Sequence, residues 1–170
     1  TPALTPDDKF VIYSSNNDQR RLSLFKIPVE GVAPVQLNRD LAVGAAVSPD
    51  GRFIACYLSG EKTNKEWKLA VLPIEGGDPV RIFDLADTVN LQIPPERPLA
   101  WSPDSRSIYY LNDRSSASNI YRISLDDGAR PEKITDFASG RIFDFALARD
   151  GRRLAFSHGT STSDIIVFRN

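Results

Sequence analysis

One short unit, a polar turn followed by an apolar strand, occurs four times in this chain. The copies are Thr5-Pro6-Asp7-Asp8-Lys9-Phe10-Val11-Ile12-Tyr13, Ser48-Pro49-Asp50-Gly51-Arg52-Phe53-Ile54-Ala55-Cys56, Ser102-Pro103-Asp104-Ser105-Arg106-Ser107-Ile108-Tyr109-Tyr110 and Ala148-Arg149-Asp150-Gly151-Arg152-Arg153-Leu154-Ala155-Phe156. Their aspartates lie 43, 54 and 46 residues apart. A period of roughly 40–50 residues, with several short strands in each unit, reads as the blades of a β-propeller. Such a repeat sets the architecture and leaves the function to loops and faces, because a fold does not fix a function.

Each unit resolves into four strands, a to d. Strand b follows the aspartate turn, over 10–14, 53–58, 107–111 and 153–157, and is β-branched, aromatic or aliphatic, as a buried strand requires. Strand c follows a polar loop, over 22–27, 67–72, 119–123 and 164–168. Hairpin signals come next, at Val29-Glu30-Gly31, Glu75-Gly76-Gly77-Asp78 and Asp126-Asp127-Gly128, where glycine supplies the positive φ of a tight turn. A short strand d opens on Pro34, Pro79 or Pro131, which fits an outer edge with N–H groups to spare. Strand a precedes each later turn, over 43–47, 98–101 and 142–147.

The expected fold is therefore all-β: a partial or half propeller of four antiparallel blades, 1–41, 42–86, 98–137 and 142–170. The first and last blades are incomplete, with only the tail of a strand a at Thr1–Leu4 and no strand d before Asn170. The longest departure from the repeat, Asp84 to Arg97, contains Pro94-Pro95 and reads as an inter-blade loop over 87–97, with room for one helical turn at Leu85-Ala86-Asp87. Unfinished blades expose strand edges and apolar faces, so self-association is expected, for example two chains closing a ring of about eight blades.

Composition excludes several classes of function. A net charge of −1 gives no electrostatic reason for a nucleic acid or an anionic membrane as partner. No apolar run approaches the 18 residues of a membrane span. The single cysteine, Cys56, makes no internal disulfide and sits in a strand, as a small core residue does. With no methionine and no signal peptide, the chain reads as a mature or excised piece of a longer protein.

At Ser48-Pro49-Asp50-Gly51-Arg52-Phe53-Ile54-Ala55 and Trp101-Ser102-Pro103-Asp104 the chain resembles TolB-like β-propellers, Pro-Asp repeats distantly related to WD repeats. Ser118-Asn119-Ile120-Tyr121 through Asp127-Gly128 and Glu132-Lys133-Ile134-Thr135 fit the same pattern, so the likeness covers essentially the whole chain. The stretch from Arg141-Ile142-Phe143-Asp144-Phe145-Ala146 to Ser163-Asp164-Ile165-Ile166 resembles a subset, the C-terminal propeller of large bacterial proteins with an N-terminal kinase or winged-helix domain. That resemblance implies a non-catalytic sensing or protein-binding module with a protein or peptide partner, and it favours a periplasmic or extracytoplasmic place. Two alternatives stay open: a gating propeller of a prolyl-oligopeptidase-like peptidase, whose nucleophile would lie in a separate hydrolase domain, and a TolB-type envelope component.

The candidate chemistry is sparse. Asp7, Asp50, Asp104 and Asp150 could be drawn as metal ligands, but equivalent turns on different blades are too far apart to share an ion, and each fits an Asx-type turn. His158, the only histidine, has Ser157 before it and Asp164 six residues on, yet no G-x-S-x-G elbow exposes a nucleophile. Phosphate loops are absent, and Asn16-Asn17-Asp18 lacks the downstream glutamate of a calcium loop and reads as a loop tip. No cofactor or metal is expected. What remains is a surface. In an up-and-down blade the b–c and d–a loops share one face, which here carries Arg20, Arg21, Lys62, Lys65, Trp67, Arg97, Arg114, Arg141 and His158, a set suited to an acidic peptide or carboxylate. Phe25, Trp67, Trp101, Tyr109, Tyr110, Phe143, Phe145 and Phe156 are assigned to packing between blades, with Trp101 the clearest core residue.

Overall fold

The computed structural model describes residues 2–31, 33–83, 98–112 and 117–160. The first blade consists of β1 (Ala3–Leu4), β2 (Phe10–Asn16), β3 (Leu22–Pro28) and β4 (Val35–Gln36). The second consists of β5 (Leu41–Val47), β6 (Phe53–Ser59), β7 (Lys68–Pro73) and β8 (Arg81–Phe83), and the third of β9 (Leu99–Trp101), β10 (Ser107–Asn112), β11 (Asn119–Ser124) and β12 (Glu132–Lys133). Each of these blades is a four-stranded antiparallel meander with neighbouring strands in chain order, and β13 (Arg141–Leu147) pairs with β14 (Leu154–Gly159) in the fourth. The described residues contain no α-helix and a single 3-10 turn, Glu61–Thr63. The expected strand at 164–168 and the loop and helical turn within 84–97 lie outside the described residues.

The repeated turn is built from side chains as much as from backbone. In blade two the Ser48 hydroxyl donates to Asp50 Oδ1 at 2.6 Å and accepts the Phe53 amide at 2.9 Å, while Asp50 Oδ1 also accepts the Arg52 amide at 3.0 Å. Thr5 with Asp7 and Ser102 with Asp104 repeat this set bond for bond. The fourth turn keeps only the Arg152 amide on Asp150, because Ala148 has no hydroxyl to offer. Residue four of every copy is left-handed: Asp8 at φ 59°, Gly51 at 70°, Ser105 at 59° and Gly151 at 69°. The turn geometry is thus common to all four, and the two non-glycine residues accept the strain of a left-handed conformation. Each of these carboxylates accepts a backbone amide of its own turn.

Neighbouring blades are joined by three apolar layers. Ile12, Leu24 and Leu37 of blade one meet Ala42, Ile54, Cys56, Leu58, Ala70 and Leu72 of blade two. Ala55, Leu69, Val71 and Phe83 then meet Trp101, Ile108, Tyr110 and Ile123. Tyr109, Leu111 and Ile120 meet Ile142 and Phe145. Strand alternation makes this possible, since odd and even positions of one b strand serve the two opposite layers. Each fully buried aliphatic residue contributes about 1.5–3 kcal/mol relative to exposure. Trp101 also donates its indole N–H to the Ala46 carbonyl at 2.9 Å, which ties blade three to the bulged strand β5, where the register shifts between Val43 and Ala46. Cations bridge the rims: Lys26 reaches Glu75 at 2.8 Å, and Arg81 reaches Asp127 at 2.5 Å and the Leu125 carbonyl.

Two of the expected packing aromatics differ. Phe143 is 54% exposed and Phe156 is 41% exposed. A register shift between Ile142 and Asp144 turns Phe143 out of the layer, and Phe156 rests edge-on against Phe137 at 5.6 Å. Trp67 is only half-buried. Like Leu22 and Leu99, it packs against the cluster of Val43 and Tyr57.

Candidate functional site

The b–c and d–a loops do converge. Ala117 bridges Gly140, and the Ser118 amide donates to the Gly140 carbonyl at 2.9 Å. In the second blade Gly60 is packed against the Asp40 carboxylate, where a Cβ would have no room.

In the first b–c loop, Asn17 Oδ1 accepts the Gln19 and Arg21 amides, each at 3.0 Å. This closes the loop as an Asx turn and sets Arg20 left-handed at φ 57°, with Arg20 and Arg21 both exposed. The second b–c loop is held from inside by Thr63, 1% exposed, whose hydroxyl accepts the Gly60 amide at 2.9 Å. Asn64 and Lys65 follow at φ 54° and 62°, and Lys65 is exposed. Lys62 behaves differently, since its ammonium is 2.7 Å from Asp78 in the c–d hairpin of the same blade. Arg141 begins β13 on the exposed side, opposite Gly159. Arg97 and Arg114 lie outside the described residues.

His158 stacks on Phe137 with ring centroids 4.1 Å apart, and its Nε2 lies 3.1 Å from the Ser139 carbonyl. A carbonyl only accepts, so Nε2 carries the proton. Ser157 and His158 are successive residues of β14 and point to opposite faces of the sheet, so they form no nucleophile–base pair. The histidine instead clamps the loop that joins blades three and four. Burial pushes the Cys56 thiol pKa up and leaves it inert. Among the described residues no group of three His, Cys, Asp or Glu side chains could hold a metal ion. No helix among them is long and apolar enough to cross a membrane.

Two hollows were not foreseen. A groove of about 520 Å³ runs between blades one and two, with Leu37, Leu58 and Leu72 as its floor and Arg39, Asp40 and Asp78 on its rim. Gly77 closes one end by donating its amide to the Leu37 carbonyl at 2.8 Å. A smaller hollow of about 290 Å³ lies on the other face of blade one, over the stacked pair Tyr13 and Phe25, whose centroids are 5.8 Å apart. Both are assembled from separate strands and loops, so no local sequence signal announces either one.

No family model matches the chain. An uncharacterized protein of Agrobacterium fabrum is 29% identical to this chain over 172 residues, covering 99% of this chain and 53% of the relative. The chain therefore spans about half the length of that relative. Among solved structures, one assigned to TolB from Agrobacterium tumefaciens superimposes with a TM-score of 0.67 at 24% identity, covering 92% of this chain and 52% of the other. TolB from Acinetobacter baumannii gives a TM-score of 0.70 at 20% identity, covering 96% and 38%. The chain is, in fold, an all-β propeller array of the TolB-like kind.

Proposed function

We propose that this chain is a non-catalytic interaction module that binds a protein or peptide partner on the face formed by its b–c and d–a loops. The observation that carries this reading is the pinned geometry of that face. Arg20, Arg21 and Lys65 are exposed on loops closed by Asx and hydroxyl–amide bonds, beside the half-buried Trp67. Cations on a rigid loop lose little freedom when they meet a carboxylate, so an acidic peptide is the fitting ligand class. Asp18, Asp40, Glu61 and Glu66 are exposed or part-exposed nearby, so recognition would depend on the pattern of charges and not on net attraction. Fluorescence titration with an acidic peptide tests this. Saturable binding lost in the variant Arg20→Glu/Arg21→Glu/Lys65→Glu is expected, and binding that survives the triple reversal would sink it.

The signalling parent suggested by residues 141–166 belongs to the same proposal, with an extracytoplasmic location. The likeness in fold to TolB supports a second reading, a component of an envelope assembly. An upstream kinase or winged helix in the full gene would favour the first, and a signal peptide with no signalling domain the second.

A further inference from the structure

We propose that the groove between blades one and two binds a short aliphatic peptide with both termini free. Its carboxylate meets Arg39, its ammonium meets Asp40, and its side chains lie over Leu37, Leu58 and Leu72.

The groove exists because the repeat is filled differently at two neighbouring junctions. In blade one, strand d places Val35 opposite Lys26 of strand c. In blade two it places Arg81 opposite Val71. Two residues further on, Leu37 and Phe83 enter the apolar layers that join each blade to the next. Val35 and Leu37 therefore hold the places of Arg81 and Phe83. Arg81 crosses to blade three, where it meets Asp127 at 2.5 Å and the Leu125 carbonyl. Val35 has no such reach and is 60% exposed. Leu37 is smaller than the ring of Phe83. The first junction is thus underfilled along its d-strand edge. The hollow of about 520 Å³ that remains falls within the range of about 300–1,000 Å³ typical of small-ligand sites.

The rim selects the ligand by charge. Lys62 neutralises Asp78 at 2.7 Å. Arg39 and Asp40 also line the groove, and neither is in an ion pair among the described residues. One unpaired cation and one unpaired carboxylate over an aliphatic floor match a ligand that carries one charge of each sign and apolar side chains between them. The segment that bears both charges is fixed in advance. Gln36 donates its amide N–H to the Asn38 carbonyl at 2.7 Å. Asn38 is buried; its Oδ1 accepts the Leu24 amide at 2.8 Å and its Nδ2 donates to the Asp40 carbonyl. Gly60 leaves room for the Asp40 carboxylate, since a Cβ there would come within 2.2 Å of it. A rim held in this way gives up little freedom on binding. The groove uses none of Arg20, Arg21 and Lys65, so this site and the loop-face reading stand or fall separately.

Amide chemical shifts of the isotope-labelled chain, titrated with the dipeptide Leu-Leu, test the site. Saturable shifts are expected at Arg39, Asp40, Gly77 and Asp78. The N-acetylated and the C-amidated dipeptides are each expected to bind about tenfold or more weakly, because each leaves one rim charge without its partner. In Arg39→Gln the penalty for amidation should vanish, and in Asp40→Asn the penalty for acetylation. Leu37→Phe, which copies the next blade, is expected to fill the groove and abolish binding, with circular dichroism reporting the fold. Arg20→Glu/Arg21→Glu/Lys65→Glu should bind the dipeptide as the wild type does. No saturable shift at millimolar dipeptide, equal binding of free and blocked forms, binding that survives Leu37→Phe, or loss of binding in the loop-face triple variant overturns the proposal.

Discussion

Removing the Ser48 hydroxyl isolates what holds a blade to its turn. Ser48 is fully buried, donates to Asp50 Oδ1 at 2.6 Å and accepts the Phe53 amide at 2.9 Å. In Ser48→Ala the Asp50 carboxylate regains water, because it is exposed, so the loss there is small. The Phe53 amide loses its hydroxyl partner at a part-buried site, and a stranded donor costs about 1–3 kcal/mol. Taking the middle of that range, the variant loses about 2 kcal/mol, which for a chain of this size lowers Tm by about 4–8 °C. Blade four supplies the reverse experiment. Its turn has the same Asp150–Arg152 bond and the same left-handed Gly151, but Ala148 at the hydroxyl position. Ala148→Ser adds the missing acceptor for the Arg153 amide and the missing donor to Asp150, a net gain of about 0.5–1.5 kcal/mol. Differential scanning calorimetry of the two variants reads both directions. An unchanged Tm in Ser48→Ala, or a lower one in Ala148→Ser, would show that the side-chain bonds are incidental to the turn.

Other consequences are measurable. Asp7 and Asp104 are held below the usual carboxylate range first by the hydroxyls of Thr5 and Ser102 and then by the amides of Lys9 and Arg106. At Asp50 burial works against ionisation, and the Ser48 hydroxyl and Arg52 amide outweigh it. A depressed folded pKa stabilises above the unfolded value, near 3.9 for aspartate, and that stability is lost as pH falls through the folded value. Thermal stability is therefore expected to drop as pH is lowered below about 4, and the drop should shrink in a Thr5→Val/Ser48→Ala/Ser102→Ala variant followed by Tm against pH. Trp101→Phe keeps most of the buried ring but loses the indole bond to the Ala46 carbonyl, so urea unfolding should show a loss of about 0.5–1.5 kcal/mol with an unchanged m-value.

The strands and turns were legible because they rest on local rules. The repeated aspartate turn and the β-branched, aromatic or aliphatic residues after it placed β2, β6, β10 and β14, and glycine or proline marked the corners. The burial of Cys56 and Trp101 followed from their places in strands b and a. What did not follow came from contacts between segments distant in sequence. Phe143 looks like its neighbour Phe145, but a bulge rotates it outward, and a bulge has no composition of its own. Lys62 and Lys65 belong to the same polar loop, yet only Lys62 comes within reach of Asp78, after the c–d hairpin has folded back. The left-handed residues Asp8 and Ser105 carry no glycine to announce them, and only the repeat, aligned to Gly51 and Gly151, assigns their conformation. The groove floored by Leu37, Leu58 and Leu72 exists only where two blades meet.

The repeated Pro-Asp turns are a structural lock, joined by hydroxyl and carboxylate bonds, that holds each b strand to its blade. Amide hydrogen exchange at the residue that opens each b strand tests it most directly. Phe10, Phe53 and Ser107, whose amides are held by Thr5, Ser48 and Ser102, should exchange slowly, and Arg153, after Ala148, should exchange faster. Equal rates at all four positions, or protection at Phe53 that survives Ser48→Ala, would contradict the account.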